Sequence, residues 1–237
     1  MPNPYFRFKQ FTVYHDRCAM KVGTDGVLLG AWADISQSHK VLDIGTGTGL
    51  ISLMVAQRNP LLSIEAIDMD MDAVEQARDN IGNSPFGDRI RCYNCSLQQY
   101  YRETSLLFDH IICNPPFFSQ SLKSPDKKRS IARHTDSLTA EDLISISSKM
   151  LTEAGKISII YPFAYKEQLV LLAKNNGLCI SRMMSVRPTA TSDYKRIVIE
   201  MSKVVLPISE TDMIIEKERH KYSDEFIGLV KDFYLKL

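Results

Sequence analysis

The chain lacks most of what would mark a membrane, secreted, fibrous or polyelectrolyte protein. No apolar run approaches the ~20 residues that cross a bilayer, and Arg7 and Lys9 interrupt the start before a signal-type apolar segment can form. Its 29 Lys and Arg are balanced by 28 Asp and Glu, so no overall polycation announces a nucleic-acid partner and charge has to be read locally. The five cysteines are odd in number and scattered through apolar stretches, which argues against a disulfide framework and for a reduced, cytoplasmic protein. Cys92 and Cys95 form a C-x-x-C, but the five histidines offer no second pair at matching spacing, so no metal site is expected. Internal repeats and low-complexity tracts are also missing. What is present is 44% hydrophobic content in 237 residues, enough to bury one full core.

The informative stretch is Val41 to Leu53, VLDIGTGTGLISL. Val41 to Ile44 reads as a buried strand, Gly45, Gly47 and Gly49 as a tight turn, and Leu50 to Gln57 as a helix. Glycine lets backbone approach a ligand and tolerates positive φ. A dinucleotide fingerprint would place its third glycine at Leu50, so the spacing disfavours that ligand without excluding it.

The surrounding pattern alternates strand and helix. Strands are expected at Ser63 to Asp68, Arg89 to Cys95, Phe108 to Cys113 and Lys156 to Tyr161, and helices at Asp72 to Ile81, Leu138 to Leu151 and Tyr165 to Asn176, the last closed by Gly177. Ser181 to Val186 and Arg196 to Ser202 are joined by a link long enough only for a hairpin. The expected fold is therefore α/β, a doubly wound Rossmann-like domain over 1–237 with a mostly parallel seven-stranded sheet and an antiparallel edge hairpin. An N-terminal extension of about 1–35 carries a short extended arm at residues 5 to 15. A C-terminal amphipathic helix of about 222–237 is expected to pack through Phe226, Leu229, Val230, Phe233 and Leu237. Ligands of such sheets sit at the carboxyl ends of the strands, where the glycine loop, Asp68, Ser96 and Asn114 all fall.

Asn114-Pro115-Pro116-Phe117 follows the fourth of these strands. Such a sequence can be a simple stop, since Asn and Pro are turn residues. It can equally present an amide oxygen and a proline carbonyl as two acceptors for one amino group. Two accepted hydrogen bonds favour a pyramidal, nucleophilic nitrogen on an otherwise planar exocyclic amine. Phe117 is then suited to stack on the base.

Asp43-x-Gly45-x-Gly47-x-Gly49 resembles motif I of the S-adenosylmethionine (SAM) methyltransferases. Together with Asp68 and N-P-P-F it is similar to those that methylate adenine, guanine or protein glutamine. KVGTDGVLLGAW at Lys21 to Trp32, NPPFF and IARH resemble, more closely, the bacterial tRNA1(Val) adenine-37 N6-methyltransferases, to about residue 205. The resemblance implies SAM as cofactor, shaped at its methionine end by Asp43, Gly45, Gly47 and Gly49, with Asp68 on the ribose and Met69 near the adenine. It also implies that Thr24 and Asp25 belong to the cofactor segment and that Ser96 stands where many relatives carry an aspartate. Asn114, Pro115, Pro116 and Phe117 would form the target-amine site. It implies tRNA as partner, and a monomer is expected. Residues Ser119 to His134 carry Lys123, Lys127, Lys128, Arg129 and Arg133 against Asp126, and read either as a solvated loop or as a grip on RNA phosphates. Arg7, Lys9, Arg17 and Lys21 are candidates for the same rim. Guanine N2 of rRNA and a protein glutamine remain alternative acceptors, and a catalytically silent SAM-binding module is the alternative of another class.

Overall fold

The computed structural model describes residues 3–116 and 138–237. A hairpin of β1 (Tyr5–Arg7) and β2 (Thr12–Tyr14) opens the chain, followed by α1 (Thr24–Trp32). Then come β3 (Lys40–Ile44), α2 (Leu50–Arg58), β4 (Ser63–Asp68), α3 (Met71–Gly82), β5 (Ile90–Asn94), α4 (Leu97–Glu103) and β6 (Phe108–Cys113). The second half holds α5 (Ala140–Met150), β7 (Leu151–Pro162), α6 (Lys166–Asn175), β8 (Cys179–Thr189), β9 (Arg196–Ser202), β10 (Ser209–Glu218), β11 (Lys221–Tyr222) and α7 (Asp224–Val230).

The main sheet has the order β11-β10-β8-β9-β7-β6-β3-β4-β5. Strands β7, β6, β3, β4 and β5 run parallel, and β9 lies antiparallel between β7 and β8. The seven strands expected are all there, but the sheet has nine: β10 adds in parallel beside β8, and β11 folds back on it. The hairpin is thus covered on its outer side rather than left as the edge. Central strands such as β3 are buried on both faces, which is why they read as continuous apolar runs. One core packs α1, α2, α3, the β1–β2 hairpin and α7 against one face, while α4, α5 and α6 contribute to a second core.

Local chemistry sets the helix ends. Asp70, Thr139 and Ser223 accept hydrogen bonds from the first-turn N–H groups of α3, α5 and α7. Gly177, at φ +69°, closes α6 as expected.

Residues 5 to 15 are a hairpin rather than a single extended arm. Phe8, Phe11 and Val13 are buried, and Phe8 bridges to Tyr234 while the Lys9 N–H donates to the Phe233 carbonyl at 2.8 Å. The expected C-terminal helix packs through Phe226 and Val230 but ends at Val230, with Phe233 buried in the turn that follows and Leu237, beyond the helix, exposed rather than packed. Of the four basic residues assigned to a rim, Arg17 is ion-paired with Asp79 and Lys9 donates to the Lys231 carbonyl, so both are committed within the fold.

Candidate active site

Strand β3 ends at Ile44, and the next two N–H groups, Gly45 and Thr46, both donate to the Ile67 carbonyl at the end of β4. The chain then reverses through Gly45 and Gly47 at φ +68° and +54°. A Cβ at either position would meet no atom within 4 Å, so sterics there are permissive and the backbone conformation is what demands glycine. The open space beside these two residues is a cavity. Gly49, the N-cap of α2 at φ +80°, needs glycine for the same conformational reason, and a Cβ there would lie in ordinary contact with Ala77 of α3 at 3.4 Å.

Two carboxylates hold the loop in shape. Asp43 is fully buried, and its Oδ2 accepts from Thr46 Oγ1 (2.7 Å), Ser52 Oγ (2.7 Å) and Ser52 N–H (3.2 Å). Its Oδ1 has no hydrogen-bond partner among the described residues. Burial outweighs these bonds and pushes the carboxyl up to about 6. Asp68 accepts from the Gly47 N–H at 2.9 Å through Oδ2 and from the Asp70 N–H at 3.0 Å through Oδ1. Burial also raises its pKa, with the backbone donors opposing.

A cavity of about 490 Å³ runs along these strand ends, within the size range of small-molecule sites. Gly45, Gly47, Asp68, Met69, Ser96, Asn114, Pro115 and Pro116 all line it, so the structure brings together eight residues singled out from separate stretches of sequence. A second hollow adjoins it on the other side of Asn114, and Thr24 and Asp25 line that one with Gly45 and Gly47. Asp25 is ion-paired there to Arg196 Nε at 2.7 Å. Asp43 and Gly49 stand behind the wall of the larger cavity and shape it indirectly. Ser96 faces it while its Oγ caps α4 by accepting from the Gln99 N–H at 3.1 Å. Phe117, Lys123, Lys127, Lys128, Arg129 and Arg133 lie outside the described residues.

Asn114 is the polar group between the two hollows. Its Oδ1 is buried without a hydrogen-bond partner among the described residues. Gly26 on α1 keeps room beside it, since a Cβ there would come within 3.8 Å of Asn114 Nδ2 and 3.1 Å of Leu50. A buried acceptor without a donor is costly unless a ligand supplies one.

Sequence reasoning missed the outer wall. Cys18, Ala19 and Met20 line the larger cavity, and Met20 also borders the smaller one. They are held by buried amides of α3. Asn80, 1% exposed, accepts from the Tyr14 N–H (2.9 Å) and donates to the Tyr14 carbonyl (2.8 Å) and to the Thr48 carbonyl (2.9 Å) in the glycine loop. Gln76, one turn earlier, accepts from the Arg17 N–H at 3.1 Å. These contacts span 66 and 59 positions of sequence, and no local pattern marks them.

The residues present suit SAM. The glycine loop leaves room along the cavity, Asp68 offers a carboxylate to a diol, and Asn114 lines both hollows with an amide oxygen that has no partner among the described residues. Among the described residues no cluster of three His, Cys, Asp or Glu is placed to hold a metal ion, and no helix is long and apolar enough to cross a membrane.

Comparison with known proteins agrees with the geometry. Residues 20–174 match the methyltransferase small domain model. The chain is 49% identical over 238 residues to the tRNA1(Val) (adenine(37)-N6)-methyltransferase of Parabacteroides distasonis, and 50% identical over 237 residues to that of Phocaeicola vulgatus, covering all of each chain. The similarity therefore continues past residue 205, through β10 and α7. Among solved structures, a predicted O-methyltransferase from Agrobacterium tumefaciens superposes with a TM-score of 0.67 at 20% identity, over 88% of this chain and 96% of that one, and supports the fold. The chain belongs to the methyltransferase small domain family and, within it, to the tRNA1(Val) (adenine(37)-N6)-methyltransferases.

Proposed function

We propose that the protein methylates N6 of an adenine in tRNA, the reaction for which its relatives are named, at adenine 37 of tRNA1(Val). The observation that carries this reading is the buried Oδ1 of Asn114 at the end of β6, without a partner among the described residues, between two hollows and followed by two prolines that cannot donate. SAM, when bound, supplies a methyl group already activated on a sulfonium. Asp68 would hold its ribose, Met69 and Ser96 would flank the adenine end, and Thr24, Asp25 and the glycine loop would face the methionine end.

The protein's own part in the chemistry is preorganisation. Asn114 Oδ1 and the Pro115 carbonyl accept hydrogen bonds from the target amine, which draws its lone pair out of the ring and offsets the positive charge that develops on nitrogen. Fixing the amine against the donor removes much of the entropic part of the barrier. Adenine inside a stacked helix cannot reach such a cavity, so the base has to be extruded or already unstacked. The basic residues Lys123, Lys127, Lys128, Arg129 and Arg133, close in sequence to Phe117, would grip the phosphates around it. The enzyme is expected to act as a monomer in the cytoplasm.

The test is transfer of label from SAM to total tRNA, total rRNA and total protein of a strain lacking the gene, with the modified nucleoside or amino acid identified by mass spectrometry. N6-methyladenosine in tRNA is the expected product. Label in N2-methylguanosine of rRNA, or only in protein glutamine, would overturn the assignment.

A further inference from the structure

Strand β6 ends at Cys113, paired in parallel with Ile159 of β7 just before Asn114, and β7 continues three residues further to Pro162. Strand β7 thus delivers its last residues to the flank of the target-amine site, and the chain turns there through Phe163–Tyr165. Four aromatic rings gather at this corner. Tyr161 and Tyr165 meet edge to face with centroids 5.5 Å apart. Phe163 stacks on Tyr194, from the β8–β9 link, at 4.9 Å and 29°. The Arg187 guanidinium lies over the Tyr194 ring at 5.1 Å, completing a stack of one cation and two rings.

This stack is fixed in place. Tyr194 Oη donates to Asp212 of β10 at 2.9 Å, and the Phe163 N–H donates to the Lys195 carbonyl at 3.1 Å. None of the four rings is fully buried. Nearby acids are partly engaged, Asp212 by Tyr194 and Glu210 by Lys166 at 3.8 Å, while Asp193 and Glu167 lie at the surface. The corner is therefore not a strong phosphate trap. It is a rigid aromatic face with a cation beside it, next to a site whose target base must leave its stack.

From this placement we infer that Phe163, backed by Tyr194 and Arg187, forms a stacking platform for the unpaired RNA nucleotides adjoining the target adenine. The inference rests on the tRNA reading above and names the surface through which it would act. Base-on-ring stacking is tolerant of sequence and, unlike phosphate contact, releases few counterions. The platform would hold the flanking nucleotides once the target has been withdrawn from between them, an energy that the duplex or loop itself no longer provides.

The experiment measures binding of unmodified tRNA at several salt concentrations for wild type, Phe163→Leu, Phe163→Ala/Tyr194→Ala and Tyr194→Phe, with SAM affinity as the check on folding. Phe163→Leu keeps apolar bulk and removes the ring face. We expect it to weaken tRNA binding several-fold, and the double variant by roughly 5- to 100-fold. Both losses should be equal at all salt concentrations, giving parallel lines, while SAM affinity stays unchanged. Tyr194→Phe, which loses only the bond to Asp212, should retain most of the affinity. Wild-type tRNA affinity in Phe163→Leu would overturn the platform, as would a loss that appears only as a change in salt slope. Failure of the wild type to methylate tRNA would instead overturn the underlying reading.

Discussion

Asp43→Asn separates the electrostatic cost of the glycine loop from its hydrogen bonding. The amide oxygen can take over the bonds from Thr46 and Ser52 that converge on Oδ2, and the amide nitrogen would replace the partnerless Oδ1. What changes is the charge. Burial raises the Asp43 carboxyl to about 6 from 3.8, so the unfolded chain ionises first and the folded state binds the extra proton. Stability relative to a neutral side chain is therefore fully kept below about pH 4 and lost as pH rises through 6. A shift of about 2 units corresponds to about 3 kcal/mol in full, of which about 2 kcal/mol falls between pH 4.5 and pH 7.5. The advantage of Asp43→Asn over wild type should grow by that amount across this range. Urea unfolding followed through Trp32, the single tryptophan and 8% exposed, reads both proteins in the same buffers. If the two stability profiles stay parallel from pH 4.5 to 7.5, the Asp43 carboxylate is not a strained charge.

Asn114→Ala should lower turnover by about 10²-fold or more, the scale of one preorganised polar group, with SAM affinity unchanged by calorimetry; near-normal turnover would reduce N-P-P-F to a turn. Asn80→Ala removes the joint between Tyr14 and Thr48 and should cost about 3 kcal/mol of stability in urea unfolding, together with weaker SAM binding. Replacing Lys127, Lys128, Arg129 and Arg133 by Ala should weaken tRNA binding and flatten its dependence on the logarithm of salt concentration. Unaltered slope and affinity would leave that run a solvated loop.

Much of the site was legible because its residues sit where strands end. Ser63–Asp68, Phe108–Cys113 and Arg196–Ser202 fall where apolar patterning places them, and the strand ends at the cavity carry their own local signals in Gly, Asp or Asn-Pro. β10 was not legible. Its sequence, SETDMIIEKE, has little apolar content, and it becomes a strand only by pairing with β8. The wall at Cys18 to Met20 escaped for a related reason: its placement depends on Gln76 and Asn80, whose bonds reach far along the chain, while their own stretch reads simply as an amphipathic helix.

The docking of the N-terminal hairpin on residues 226–234 also fixes when that hairpin can be seated. Residues 5–22 leave the ribosome first, yet their apolar side chains, Phe8 above all, are packed only once Phe226, Phe233 and Tyr234 have emerged. At about 5–20 residues per second that interval is roughly 10–40 s. Through it, the strand carrying Asp68 and the glycine loop can already be paired, and Asn80 and Gln76 can already hold Tyr14 and Arg17, while Phe8 still lacks its cover. A nascent chain would thus have the shelf for its cofactor and the anchors of the outer wall before the hairpin ahead of that wall is seated against the last helix.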